Sequence, residues 1–188
     1  MTFPIAARSI AAAAALLLAP AVAHAALAVG AKAPDFTTRG ALAGKIMPVK
    51  LSALLKKGPV VLYFFPAAFT KGCSAEAREF AENIDAFKAA GATVVGMSAD
   101  PVEKLADFST KDCSNKFTVA SAGPAIVKGY DVALPPMPNM PNMPVGLTNR
   151  TSYVIAPSGR VAYVHSEMSY AAHVKNTLAA VQAMQPKG

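Results

Sequence analysis

Residues 59–76 read Pro59-Val60-Val61-Leu62-Tyr63-Phe64-Phe65-Pro66-Ala67-Ala68-Phe69-Thr70-Lys71-Gly72-Cys73-Ser74-Ala75-Glu76. The first part is an unbroken apolar run, rich in β-branched and aromatic residues. Such a run suits a strand buried on both faces of a sheet. Pro66 ends it, because proline cannot donate to a sheet ladder. From Ser74 to Ala90 the apolar residues recur at Ala77, Phe80, Ala81, Ile84 and Phe87, which is helical spacing. Gly91 is a natural stop for that helix. The stretch therefore predicts a buried strand, a turn and an amphipathic helix, with Cys73 at the mouth of the helix.

Downstream, the same alternation continues. Thr93-Val94-Val95-Gly96-Met97 reads as a second buried strand. Asp100-Pro101-Val102-Glu103 reads as a helix start, with Asp100 as cap, Pro101 at the first helical position and Glu103 completing a capping box. Phe117 to Ala120 suits a short strand and Ala125 to Tyr130 a short helix. Thr151 to Ile155 and Val161 to His165 suggest a hairpin around Pro157-Ser158-Gly159. Ser169 can cap a last helix carrying Leu178, Val181, Gln182 and Met184. Strands alternating with helices, closed by a hairpin and a helix, predict one α/β domain. A thioredoxin-like fold, a central mixed sheet flanked by helices, is the simplest small fold with that order.

Upstream, the character changes. Arg8 is followed by Ile10 to Val22, which has no polar side chain, and then by Ala23-His24-Ala25. A positive charge, a short apolar run and a small-x-small site read as a signal peptide over residues 1–25. The run falls short of the roughly 20 apolar residues that span a bilayer. The expectation is an exported, periplasmic protein of residues 26–188, without stable membrane association. The apolar fraction of 53% excludes a disordered chain. The net charge of +7 comes from scattered lysines and arginines, with Lys56-Lys57 the one adjacent pair. Without a basic run interleaved with aromatics, no nucleic-acid partner is expected. Two cysteines exclude a disulfide scaffold or a four-cysteine zinc site.

Cys73 is the chemically suggestive residue. It follows a strand end, where ligands bind in open α/β sheets. The free N–H groups and dipole of a helix mouth favour an anion, and a thiolate is one. Thr70, one turn earlier, can set its hydroxyl beside the sulfur. The alternative at this point is a buried, inert cysteine, since free cysteine packs well.

The spacing Pro66-x-x-x-Thr70-x-x-Cys73 resembles the active-site motif of peroxiredoxins. With Gly72-Cys73-Ser74-Ala75-Glu76 it is similar to the bacterioferritin-comigratory, or Q, branch of the alkyl hydroperoxide reductase/thiol-specific antioxidant family. Val29-Gly30-Ala31-Lys32-Ala33-Pro34-Asp35-Phe36 resembles the family's opening. Asn149-Arg150-Thr151-Ser152-Tyr153-Val154-Ile155-Ala156-Pro157-Ser158-Gly159 resembles its late arginine strand and turn. The resemblance implies a thiol-dependent peroxidase acting on hydrogen peroxide or organic hydroperoxides, without metal, flavin or other cofactor. Cys73 is then the peroxidatic cysteine, which becomes a sulfenic acid. Arg150 favours the thiolate and stabilises the departing oxygen, Thr70 orients the peroxide, Pro66 keeps bulk water off, and Glu76 holds Arg150. A thioredoxin-like thiol reductant and a monomer complete the expectation.

Cys113 is the internal candidate to resolve that sulfenic acid. One common pattern of the branch places the resolving thiol five residues after the first, and here that position is Arg78. Other members resolve from the following helix, the neighbourhood of Cys113. An external thiol, or a permanent Cys73–Cys113 staple, are the alternatives. The staple belongs to a second reading, an exported non-catalytic protein of the same fold. In that reading Met137, Met140 and Met143, in the proline-rich stretch 135–144, handle copper(I). His165 and His173 lack metal spacing and are expected at the surface. Asn149-Arg150-Thr151 matches a glycosylation sequon by pattern alone.

Overall fold

The computed structural model describes residues 26–136, 144 and 146–185. Residues 1–25, read above as a signal peptide, and Met137, Met140 and Met143 lie outside the described residues. The strands are β1 (Thr37–Leu42), β2 (Lys45–Lys50), β3 (Val60–Phe64), β4 (Thr93–Ser98), β5 (Thr118–Ser121), β6 (Thr151–Ile155) and β7 (Val161–Ser166). The helices are α1 (Leu51–Leu55), α2 (Lys71–Ala89), α3 (Val102–Lys111), α4 (Pro124–Gly129) and α5 (His173–Ala183).

The strands form one mixed sheet in the order β2-β1-β5-β4-β3-β6-β7. The apolar run at 60–64 becomes a central strand, with parallel β4 on one side and antiparallel β6 on the other. All five of its residues are buried. Alternation then sends its side chains to two layers. Val61, Tyr63 and Phe65 join Phe80, Ile84 and Phe87 of α2, Leu105 and Phe108 of α3, and Val174 and Val181 of α5. Val60, Leu62 and Phe64 join Leu51 and Leu55 of α1 on the opposite face, with Val127, Tyr130 and Tyr153. Tyr63 stacks on Phe80 with ring centroids 4.2 Å apart, fixing α2 across the strand it follows.

Helix α2 begins three residues before the predicted Ser74, so Cys73 lies within its first turn. Gly91, at φ 72°, ends it as expected, with its N–H on the Lys88 carbonyl. The hairpin β1–β2 and helix α1 were not foreseen from sequence.

Two expected caps are corrected. Pro101 is the boundary residue of α3, and no side chain caps it. The Asp100 carboxylate instead accepts the Ala68 N–H at 2.6 Å, the Ser98 hydroxyl at 2.8 Å and Lys104 Nζ at 2.7 Å. The carboxylate is thus engaged by the Ala68 backbone and by Ser98 and Lys104, and not by the first turn of α3. Helix α5 starts at His173 behind Ala172, so Ser169 does not cap it.

Register places the functional end of the sheet. Phe64, the last residue of β3, pairs with Thr151, the first of β6, and Thr151 pairs with Ser166, the last of β7. The loop into α2, the residues before β6 and the residues after β7 therefore converge at one edge.

Candidate active site

Cys73 is buried in the first turn of α2, 1% exposed. The Ser74 N–H closes that turn on the Thr70 carbonyl at 2.8 Å. The preceding loop is held from several directions. Thr148 donates its hydroxyl to the Phe65 carbonyl at 2.7 Å, and Asp100 takes the Ala68 N–H. Phe69 adopts a left-handed φ of 68° and sets its ring edge-on to Phe108. A bulky residue rarely adopts that backbone conformation, so the loop is strained where it turns into the helix.

Arg150 precedes Thr151, and the β3–β6 register carries it to the mouth of α2. It is 5% exposed. Its Nη2 donates to Cys73 Sγ at 3.4 Å, its Nε to the Met168 carbonyl at 3.0 Å, and its Nη1 to Glu76 Oε2. Three of the sequence-predicted residues, Cys73, Arg150 and Glu76, thus meet in one buried cluster. Pro66 closes β3 as expected. Thr70 differs: its hydroxyl donates to the Ala67 carbonyl at 3.0 Å, turned back on its own loop.

Glu76 is fully buried, and its second oxygen has no hydrogen-bond partner among the described residues. Burial pushes its carboxyl up to about 8, against the pull of Arg150. Beneath it lies His173, expected at the surface but fully buried. The segment after β7 folds inward and carries the ring under α2. His173 Nε2 faces the Glu167 carbonyl at 2.9 Å, so that nitrogen carries the proton. Nδ1 then accepts the Ser152 hydroxyl at 2.8 Å and stands 3.8 Å from Glu76 Oε1. Burial lowers the imidazole to about 4; the Glu167 carbonyl opposes this, while His165 and Arg150 add to it.

These two groups predict opposite pH slopes. His173 titrates below its free value of 6.5, so the unfolded chain binds the extra proton between about 4 and 6.5. Stability there rises with pH. Glu76 titrates above its free value of 4.5, so the folded chain holds the extra proton between about 4.5 and 8. Stability there falls with pH. The contributions cancel where the windows overlap. Thermal melting from pH 4 to 9 checks this. Relative to Glu76→Gln, the wild type loses Tm from pH 6.5 to 8; relative to His173→Gln, it loses Tm from pH 6.5 down to 4. Parallel curves for all three proteins would refute both assignments.

Cys113 follows α3 directly and is fully buried, within the same apolar layer as Cys73. Burial pushes its thiol up, with the Asp112 carboxylate adding to the effect. Both cysteines are free thiols, so the staple of the non-catalytic reading is not formed. Arg78, in the position of the common resolving thiol, pairs with Asp112 at 2.5 Å. Tyr63 is fully buried beside this cluster, and burial raises its phenol well above the usual range. Asn149 of the sequon is buried and accepts the Thr151 hydroxyl at 2.8 Å.

Sequence reasoning missed the loop-anchoring role of Asp100, the position of Asp112 and the burial of His173. A signal existed for Asp112, because an acid at a helix C-terminus opposes the dipole and needs a partner.

The chain is similar to known proteins. The AhpC/TSA family profile matches residues 29–164. A Mycobacterium tuberculosis protein assigned as a peroxiredoxin is 35% identical over 139 residues, 73% of this chain and 87% of that one. The chloroplastic peroxiredoxin Q of Sedum lineare is 31% identical over 157 residues, 83% of this chain and 78% of that one. The crystal structure of peroxidoxin BcpB from Mycobacterium tuberculosis superimposes with a TM-score of 0.73 at 31% identity, covering 84% of this chain and 97% of that one. The chain therefore belongs to the AhpC/TSA family, as a peroxiredoxin similar to the Q and Bcp branch.

Proposed function

We propose that Cys73 is the thiol through which this peroxiredoxin reduces its peroxide, and that Cys113 resolves the product. The observation that carries the first assignment is the Arg150 Nη2 contact with Cys73 Sγ at 3.4 Å in the first turn of α2. A guanidinium there stabilises the thiolate and then the charge on the departing oxygen. The thiolate attacks one peroxide oxygen, the O–O bond breaks, and the departing oxygen leaves as water or alcohol once protonated. Cys73 becomes a sulfenic acid. Glu76 holds Arg150 in place, and Asp100 and Thr70 hold the loop that shapes the approach. A thioredoxin-type thiol donor returns the enzyme to its reduced state.

Cys113 is the one other cysteine in the chain. Cys73 lies in the first turn of α2 and Cys113 just past α3, both buried, and in the proposed cycle the first turn of α2 unwinds to bring the sulfurs together. The proposed working form is a monomer. The proposed setting is the periplasm, after removal of residues 1–25. That setting rests on the small-x-small site at Ala23-His24-Ala25 behind a short apolar run.

Peptide mass mapping of the expressed, exported protein tests these points together. The expected N-terminus is Ala26, and one equivalent of peroxide is expected to give a Cys73–Cys113 linkage that a thiol reductant reverses. A retained N-terminal segment would overturn the export proposal. Absence of the linkage at every time point would overturn the role of Cys113.

A further inference from the structure

Asp112 occupies the junction between the two cysteine segments. It is the boundary residue after α3, immediately before Cys113, and is buried. Each of its carboxylate oxygens is taken by a side chain of α2. The Ser74 hydroxyl donates to Oδ2 at 3.1 Å, and Arg78 Nη2 donates to Oδ1 at 2.5 Å. Ser74 and Arg78 are four residues apart, so they present one face of α2 to the end of α3. Ser74 directly follows Cys73, and its N–H closes the same helical turn. Unwinding that turn therefore pulls Ser74 off Asp112.

The other flank of Cys113 is strained. Ser114 and Asn115 have φ values of 51° and 61°, two consecutive non-glycine residues in the left-handed region. Cys113 thus lies between the anchored Asp112 carboxylate and a tight left-handed turn, closed by the Asn115 N–H on the Ser109 carbonyl and the Lys116 N–H on the Cys113 carbonyl.

We propose that Asp112 is a positioning residue that latches the resolving segment to the Cys73 helix, so that Cys113 is released only when the Cys73 turn unwinds. The proposal rests on the reading of Cys113 as the resolving thiol. With the latch closed, Cys113 is a buried, protonated thiol beside a carboxylate, a poor nucleophile. With it open, Cys113 attacks the Cys73 sulfenic acid. The S–O bond breaks, the S–S bond forms, and the thiol proton leaves with the hydroxide as water. No outside oxidant is needed. A second peroxide competes for the same sulfenic acid and carries it to the sulfinic acid. The latch therefore sets how much enzyme is over-oxidised.

The test is a single-turnover time course with hydrogen peroxide, quenched with an alkylating reagent and read by mass. It compares wild type with Asp112→Asn, Ser74→Ala and Arg78→Gln. Arg78 is largely exposed, so Arg78→Gln keeps a folded reference if Asp112→Asn does not fold. Disulfide formation is expected to accelerate about tenfold, the scale of one lost charge-assisted hydrogen bond. The sulfinic fraction at excess peroxide falls in proportion. The rate of Cys73 oxidation in Arg78→Gln stays at the wild-type value. Disulfide formation that is unchanged or slower in the variants would overturn the latch alone. A wild type that never forms the disulfide would overturn the resolving role and the latch with it.

Discussion

Cys73→Ser is expected to reduce the rate of peroxide consumption about a thousandfold or more while leaving the protein folded. The substitution exchanges sulfur for oxygen at a site 1% exposed, without changing the shape of the side chain. The new hydroxyl inherits a donor, since Arg150 Nη2 already points at that position. Stability should therefore change by no more than about 1–2 kcal/mol, the range of a hydrogen bond gained or lost in a core. Chemistry is another matter. A serine hydroxyl stays protonated at neutral pH, and its oxygen has no route to the sulfenic state. Removal of an attacking nucleophile costs several orders of magnitude even when the rest of a site survives. The measurement is hydrogen peroxide consumption with a thioredoxin-type donor in excess, together with a thermal melt. A folded variant with full activity would move the chemistry to Cys113 or off the chain altogether. Cys113→Ser separates those outcomes: it loses activity if the chemistry lies at Cys113 and keeps it if the chemistry lies off the chain, whereas with Cys73 as the attacking thiol it still reduces the first equivalent of peroxide.

The contrast between what the sequence shows and what it hides follows from the range of the forces involved. The strand at 60–64 and the helix after it were legible, because burial on two faces and burial on one stripe leave different periods. The hairpin β1–β2 was not. Gly40 and Pro48 interrupt it, and its sheet-edge residues are largely exposed, so no period marks it. The meeting of Cys73 with Arg150 was legible only through the resemblance. It depends on the pairing of Phe64 with Thr151, a register that spacing along the chain does not encode. Asp100 shows a different limit. The pattern Asp-Pro-x-Glu asks for a carboxylate at a helix start, and a carboxylate is there. It bonds to the Ala68 N–H of another segment, because a capping residue and a loop anchor need the same chemistry. His173 shows the same for burial. A single histidine carries no spacing signal, and only the fold of residues 167–172 carries its ring between Ser152 and the Glu167 carbonyl.

Arg150→Met is expected to cost about 100- to 1000-fold in kcat/KM for peroxide, the penalty for losing one donor aimed at developing charge. Arg150→Lys is the sharper variant. Arg150 uses three nitrogens in three directions: Nε to the Met168 carbonyl, Nη1 to Glu76 and Nη2 to Cys73 Sγ. The planar fork of a guanidinium fits that demand. The compact ammonium of lysine keeps the charge but cannot reach all three partners. If the fork matters, Arg150→Lys loses nearly as much activity as Arg150→Met, and pairing either with Glu76→Gln restores little. If charge alone matters, Arg150→Lys stays within about tenfold of wild type, and the positioning argument fails. The stability cost of Arg150→Met should be moderate at pH 6 and larger at pH 9. Burial already holds the Glu76 carboxyl up at about 8, so at pH 6 it meets the loss of its partner protonated. Above that value an unpaired carboxylate would be left in the core, at the end of α2 that holds Cys73. Melting curves of Arg150→Met at the two pH values, compared with Arg150→Met/Glu76→Gln, decide the point. Equal losses at both values would mean that Glu76 is ionised across the whole range, with Arg150 as its permanent counter-charge.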